Sequence, residues 1–533
     1  MFCFYRFCYN GSLVDFLFAG SFLMLNTRPF AYYQTEIARQ LAQARISEPG
    51  SQTRRLPASP DERLAPCIWF DSLFLHGNLK TDSGKSLEIL QPGVWNECEG
   101  PDFNNARLRI SGKEISGDIE IHLDAAGWRQ HRHHLNPTYN KVILHAYLWP
   151  EQVPRDTRNS DGLHIEGFAM GKYLFPDLDS IRQTIHAEDY PYHTPSAIGR
   201  CQPLMTTLDE DFVGGMLNAA GHERLEEKTR RFLSQQSGES LLQVFYQSLM
   251  TAMGHGACKS LFFLLSKRTP FLEMLDYLID AGSGTRPAEF FQSILLHVAQ
   301  LAPTENAESG DAESAAYLER LRILWHPVAP LFADRIIPPT RQWFTHVRPV
   351  NFAQRRLAGI AYLLERFFLN EAPTVHFQQV LETFPTTATD KEAKRWIQRN
   401  LIQPFVVEEL DDFWTWRYTF ASRRAARGMK LVGDSRAASI ALNALLPLLL
   451  LHARSERNTA LEKQVHHIFQ IFPALDSNVI TRQMQTRLFG EDMRGKTLLS
   501  TEARQQGLFH IFRSCCALNE RDCTDCAYRS LTA

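Results

Sequence analysis

The chain has 533 residues, 44% of them hydrophobic and 22% charged, with a formal net charge of −2. That composition excludes a disordered or fibrous chain, and the near balance of charge excludes a protein that coats nucleic acid or an anionic membrane by bulk attraction, leaving only local basic grooves for such partners. A chain this long is expected to divide into two or three domains.

The opening stretch MFCFYRFCYNGSLVDFLFAGSFLML is apolar, but Arg6, Asn10 and Asp15 interrupt it before it reaches the roughly 18 residues of a spanning helix. Met24 is the expected initiator, and no membrane anchor is expected. Residues 31–46 carry the spacing of one helix, and the Ser, Pro and Gly of residues 47–60 read as a linker, so residues 1–60 form an N-terminal extension. Over residues 61–200 the period becomes two. Residues 86–90, 106–110, 117–123, 141–149 and 163–169 alternate between turn residues and predict strands, whereas AAGWRQHRHHLNPTY (125–139) reads as a helix ending near Pro137. Residues 201–533 show helical spacing, as in SLLQVFYQSLM, RRLAGIAYLLERFFL and EKQVHHIFQIF, with an acidic solvated loop at 305–316. The expected fold is α+β overall, a small α/β domain followed by a large all-α domain.

The chemistry concentrates in the α/β unit, beginning with ECEGPDFNNARLRISGKEISGDIEIH (97–122). Side chains alternate along a strand, so Ile119, Ile121 and Leu123 share the core face while Asp118, Glu120 and His122 share the other. With Asp102 at the end of a neighbouring strand, its carboxylate meets that of Glu120 as a ligand pair for Mg²⁺ or Mn²⁺, and Glu97 adds a third acid. His122, His131, His133, His134 and His145 fall within 24 residues, with Trp128, Asn136, Tyr139 and Asn140 among them. His131 and His134, three apart on the expected helix, would turn together toward the strand acids. Zinc is the competing ion, because imidazole suits it and a carboxylate can join. Solvated acids on a strand edge are the plainer reading of Asp102 and Glu120, and a satisfied core histidine that of His145.

Pro101-Asp102, then Glu120-x-His122 on a second strand, then a helix and a further strand resemble the PD-(D/E)XK nuclease superfamily. The resemblance implies a restriction-endonuclease-like domain in which acids hold Mg or Mn, the ion activates water, and a phosphodiester of DNA or RNA is hydrolysed. Asp102 and Glu120 would then bind the metal, Glu97 would assist, and His122 would stand where the superfamily has lysine. With an ordinary pKa of about 6.5 against about 10.4 for lysine, that histidine serves as base or ligand rather than as a fixed charge. The alternative is a non-catalytic, metal-stabilised scaffold that binds nucleic acid or a protein partner.

The runs GVWNECEGPDFNNARLRI and GDIEIHLDAAGWRQHRHHLNPTYNKVILHAYLW also resemble an uncharacterised bacterial family, domain of unknown function 2851. Asn96, Gly100 to Phe103, Gly117 to His122, Trp128, His131, His133 and Val142 to His145 carry this likeness. It continues through RPVNFAQRRLAGIA (348–361) and QQGLFHIFRSCC (505–516). It brings no activity, and it departs at Gly127, where an acidic residue is expected. Asn96, Trp128, His131, His133, His134, Asn140 and His145 are the candidates for supporting the site.

Four of the ten cysteines crowd into the last nineteen residues, and thiols outside a secreted framework suggest a reducing cytoplasm. Cys516-x6-Cys523-x2-Cys526 has the bite of a zinc or iron–sulfur site, with Cys515 an alternative first ligand and Cys201 the natural fourth; unliganded thiols are the plainer reading. The set loosely resembles the iron–sulfur staple of RecB-like exonucleases, in which one upstream cysteine joins three C-terminal ones. Two stretches mix cations and aromatics as nucleic-acid surfaces do. WTWRYTFASRRAARGMK offers Arg417, Arg423, Arg424 and Arg427 among Trp414, Trp416 and Tyr418, and ERLEEKTRRF offers Arg224 and Lys228. A solvated helix face is the other reading of each. No Gly-rich phosphate loop, Gly-x-Ser-x-Gly elbow or His-Glu-x-x-His helix is present, which removes support for nucleoside triphosphatase, serine hydrolase and ordinary metalloprotease activities.

Overall fold

Alternating apolar residues between positions 87 and 169 build one mixed sheet, and helical periodicity organises the chain beyond 201. The computed structural model describes residues 28–43, 60–75, 77–96, 100–149, 157–185, 190, 199, 201–236, 238–254, 258–282, 284–303, 311–344, 348–369, 372–385, 389–408 and 411–516. Met24, the linker at 47–59, Glu97, Cys523 and Cys526 lie outside the described residues. The protein is mixed α/β and 59% helical, with the sheet in its N-terminal part and helices beyond.

The sheet contains β1 (Leu87–Gln91), β2 (Val94–Trp95), β3 (Phe103–Ile110), β4 (Lys113–Asp124), β5 (Val142–Trp149) and β6 (Glu166–Ala169), in the order β1-β3-β4-β5-β6 with β2 also on β3. β1, β2 and β4 run antiparallel to β3, whereas β5 runs parallel to β4 and β6 parallel to β5. β3 starts three residues before the expected strand, because pairing resumes at Phe103–Ile119 beyond a bulge whose Asn105 has φ 59°. The Asp118 carboxylate accepts the Asn105 N–H at 3.0 Å, so this acid holds the bulge. β2, two residues long, is too short for alternation to announce it.

Helix α1 (Phe30–Gln43) and helix α2 (Pro60–Phe70) precede the sheet. α2 lays Leu64, Cys67, Ile68 and Trp69 on one sheet face, against Phe103, Ile119, Ile121, Leu144, Ala146 and Phe168. The opposite face carries Glu120, His122, His145 and Tyr147, all buried. Segment 125–139 covers it, and here the structure corrects the expected helix: it is one helical turn, Gly127–Gln130, followed by 3₁₀ turns at His133–Leu135 and Pro137–Tyr139. The helix stops because Arg132 adopts the left-handed conformation, φ 59° and ψ 28°.

The helical part includes α3 (Glu210–Gln236), α4 (Leu241–Met253), α5 (Cys258–Arg268), α6 (Pro287–Val298), α7 (Ala353–Phe368), α8 (Asp390–Ile397), α9 (Leu446–Ser455), α10 (Thr459–Ile471), α11 (Val479–Phe489) and α12 (Glu502–Ile511). Its main core gathers Phe245, Leu249, Phe291, Leu357, Leu364, Leu446 and Leu450. Segment Asp434–Ser455 is long and apolar enough to cross a membrane, yet 78% of its most apolar window is buried inside the fold, as in a core helix. α1, placed by sequence in an N-terminal extension, buries Phe30 and Ile37 in a second cluster with Val213 and Met216 of α3, Met484 of α11 and Leu508 of α12.

Where α3, α9 and α10 meet, Arg454 makes paired 2.7 Å bonds to Glu226 and a 2.8 Å bond to Glu462, and His222 and His466 lie 3.2 Å apart through their Nδ1 atoms. Burial and then the His466 charge push His222 down to about 3, while burial and then Arg454 push His466 down to about 3. Both folded values lie below the ordinary value of about 6.5, so the unfolded chain binds more protons as pH falls from about 6.5 to about 3, and stability falls with it. At pH 5 each of the two histidines is expected to remove about 2 kcal/mol. Urea midpoints at pH 8, 7, 6 and 5 check this. Stability should hold from 8 to 7 and then drop, with a smaller drop in His222→Gln/His466→Gln.

Candidate metal centre

β4 and β5 bring the centre together by register. Glu120 pairs with His145 across the parallel strands, and His122, two residues on, projects to the same face. The His122 Nδ1 lies 2.9 Å from His145 Nε2, which leaves His122 Nε2 facing His131 Nδ1 at 3.1 Å. The left-handed Arg132 reverses the chain so that His133, not His134, turns inward, and its Nε2 lies 3.0 Å from Glu120 Oε1. Glu120 Oε1 is also 3.6 Å from His122 Nε2. Nitrogens of His122, His131 and His133 lie within 4.8 Å of one another, a spacing that one ion can bridge. His122, His133 and Glu120 are buried, whereas His131 is exposed and marks the mouth of the site. The expected pairing of His131 with His134 is thereby corrected; His134 is half-buried and outside the group.

The surroundings keep His122 and His145 neutral and hold the rings in place. Burial, and then the charge that His145, His131 and His133 would carry, hold His122 well below the ordinary imidazole value. His145 is fully buried and pushed down to about 3, first by burial and then by His133. Neutral imidazole is the form that ligates metal. The Tyr139 ring packs against His133, tilted by 36° with centroids 3.8 Å apart, and the Trp128 ring centroid lies 5.4 Å from those of both His133 and His145, anchored by its indole N–H on the Arg158 carbonyl at 2.9 Å. Gly127 meets a packing demand: a Cβ there would lie 2.5 Å from His122 Cδ2, so an acidic side chain at this position would displace the ring.

The predicted carboxylates converge in a different manner from a free ligand pair. The Asp102 N–H donates to Glu120 Oε2 at 3.2 Å, and Asp102 Oδ2 accepts the Ile121 N–H at 2.8 Å, so Asp102 braces the strand that presents Glu120. Asn96 supports that brace, donating its side-chain N–H to the Pro101 carbonyl at 2.8 Å and its backbone N–H to the Asp102 carbonyl at 2.7 Å. Asn140 acts on another segment, its Oδ1 accepting from the Ser160 hydroxyl at 2.8 Å. Tyr147, next to His145 on the same face, donates to the Asp82 carboxylate, which crosses the strand at Gly167. Strand parity from His145 would have found Tyr147; the approach of Asp82 had no sequence signal.

Arg224 and Lys228, expected on a phosphate-binding surface, are buried in α3 and bond Gln506 Oε1 at 2.9 and 3.0 Å. Arg417 is buried, 2.7 Å from Asp311 and 2.6 Å from Glu313, and Trp414 is wholly internal. That expectation is corrected for these three cations, because each is neutralised or enclosed by its own protein. Arg423, Arg424 and Arg427 are exposed, with Arg424 also held by Glu313 at 2.9 Å. In the second cluster, Cys201 packs against the apolar residues that include Cys515 and Cys516.

The family model described as protein of unknown function, DUF2851, matches residues 62–478. No curated protein and no solved structure matches the chain.

Proposed function

The chain belongs to the DUF2851 family, and on that premise we propose that the histidine-lined face of its sheet is a metal-dependent hydrolase centre that cuts nucleic-acid phosphodiesters. The observation that carries the reading is the convergence of three imidazoles within 4.8 Å, with the Glu120 carboxylate 3.0 Å from one of them. The order of Pro101-Asp102, Glu120-x-His122, a helical turn and a parallel strand supports the likeness to the PD-(D/E)XK superfamily. The donor set shifts the choice of ion. Imidazoles favour zinc, whereas Mg²⁺ or Mn²⁺ would draw more on Glu120 and Asp102. A bound divalent ion supplies Lewis acidity at a phosphoryl oxygen and lowers the pKa of water.

The protein's own residues divide the remaining work. Glu120, buried beside His122 and His133, takes the proton of the attacking water. His145 orients His122 through the Nδ1 contact, and Trp128 and Tyr139 exclude bulk water from the inner side. Arg129 and Arg132 are exposed and flank His131, which suits a phosphate entering there. The tail cysteines form a second, structural site in this reading, with Cys201, Cys516, Cys523 and Cys526 holding zinc or an iron–sulfur cluster. Reduced thiolates of this kind accord with a cytoplasmic setting.

Elemental analysis and a visible spectrum of anaerobically purified full-length protein, followed by cleavage assays on single- and double-stranded DNA and RNA with Mg²⁺, Mn²⁺ or Zn²⁺, test the proposal. Cleavage with at least one ion, abolished by chelator, is the expected result. Metal retained with no cleavage under any ion overturns the hydrolase reading and leaves the metal-stabilised scaffold.

A further inference from the structure

The cations proposed from sequence to meet nucleic acid are largely buried or paired, whereas a different set without ion pairs stands on α8 and the π-turn Gln398–Ile402 that continues it. Lys391, Lys394, Arg395 and Arg399 line two adjoining surface hollows that share Arg395. None of the four has an ion pair within 4 Å among the described residues, in contrast to Arg424 and Lys430, which bond Glu313, Glu408 and Asp434. The nearby Glu392 is occupied at the helix start, accepting the Thr389 N–H at 2.9 Å and its hydroxyl at 2.8 Å. Asp390 is the one carboxylate lining either hollow.

The ridge has a defined back and front. Ala393 and Ile397 are buried in the helical core, which fixes α8 and turns positions 391, 395 and 399 outward on one side. From Lys391 to Arg399 the ridge runs about 12 Å at 1.5 Å per residue, the span of three to four phosphates at 3.4 Å along the axis of one strand. At its far end the helix widens into a π-turn over Gln398–Ile402, where Asn400 donates to the Trp396 carbonyl at 2.9 Å. Trp396, half-buried edge-to-face against Phe384, lines the second hollow and offers an aromatic surface to a base.

We infer that the α8 ridge, Lys391, Lys394, Arg395 and Arg399 with Trp396, is a docking surface for a nucleic-acid strand, read through its phosphates. The choice of nucleic acid among polyanions rests on the hydrolase reading above; the ridge itself rests on the unpaired charge. Contact is electrostatic and independent of base sequence, and so falls steeply with salt.

Fluorescence anisotropy of the full-length protein with a labelled 20-nucleotide single-stranded DNA, between 50 and 200 mM NaCl, tests this. The triple reversal Lys394→Glu/Arg395→Glu/Arg399→Glu is expected to weaken binding at least about 30-fold at low salt and to reduce the slope of log K against log salt by about 2 units. The milder Lys391→Gln/Arg399→Gln should lose about 1.4 units of slope, and circular dichroism melts verify that both fold. Unchanged affinity and slope in the reversal overturn the inference. So does a reversal that abolishes cosedimentation with anionic phosphatidylglycerol vesicles but leaves DNA binding intact. Ridge-dependent binding without cleavage sinks the hydrolase reading alone; cleavage with ridge-independent binding sinks the ridge alone.

Discussion

The His131→Ala variant binds its sheet-domain ion at least about 100-fold more weakly than the unaltered chain and melts within about 2 °C of it. The two halves of that expectation come from different features. His131 is exposed, so truncating it loses little burial and one side-chain contact, to His122, which costs about 1 kcal/mol. Its Nδ1 nevertheless lies 3.1 Å from His122 Nε2 and completes the three-imidazole group. Changes to groups that merely orient a ligand already cost about 10- to 100-fold in metal affinity, so loss of a ligand should cost at least the upper value. Titration with Co²⁺ separates this site from the tail, because only the latter supplies thiolate charge-transfer bands. Cleavage should fall with the affinity. His134→Ala, outside the group, should bind as before; equal affinity in His131→Ala would reduce the cluster to packed imidazoles.

Arg355→Met is expected to lower stability by about 3–5 kcal/mol, the largest effect of any single substitution considered. Arg355, on α7 and fully buried, serves five backbone carbonyls. Its Nη1 donates to Trp414 and, at 2.7 Å, to Arg417; its Nη2 donates to Met429 and Lys430, each at 3.2 Å; and its Nε donates to Val350 at 3.3 Å. Methionine fills much of the volume but donates nothing, so these carbonyls lose their partner, those of Trp414 and Arg417 in a fully buried setting. Asp411 grips the same loop from the other side, accepting the Phe413 N–H at 2.8 Å and the Trp414 N–H. Urea unfolding of the variant measures the cost. A midpoint within error of the unaltered chain would show that the loop relaxes and finds other donors. Metal content should be unaffected, since the loop belongs to the helical part.

Much of this molecule is legible in its residue spacing. Five of the six strands sit where period-two alternation predicts them, with ends displaced by a few residues, and the chain beyond 201 is helical. Parity along β4 put Glu120 and His122 on one face without any tertiary knowledge. The same reasoning failed one segment later. It assumed a continuous helix over 125–139 and so paired His131 with His134, three residues apart; a single left-handed residue, Arg132, changed which histidine points inward. No composition or period announces that conformation in an arginine.

The basic patches show the same limit from the side of burial. Arg224, Lys228 and Arg417 carry the residue types of a nucleic-acid surface, yet Gln506, Asp311 and Glu313, from 104 to 282 positions away by their residue numbers, enclose or neutralise them. The cations between positions 391 and 399 remain open because, among the described residues, no acid from another element pairs with them.

By itself, then, the sequence determined the elements, the mixed architecture and the face on which Glu120 and His122 stand, because alternation and helical spacing are consequences of local backbone geometry. Tertiary structure alone decided that His133 completes the group, that Asp102 braces a strand, that Gly127 makes room for a ring, and which charges stay in water. Those outcomes depend on chain reversals and on contacts between residues far apart in the chain, where local periodicity carries no information.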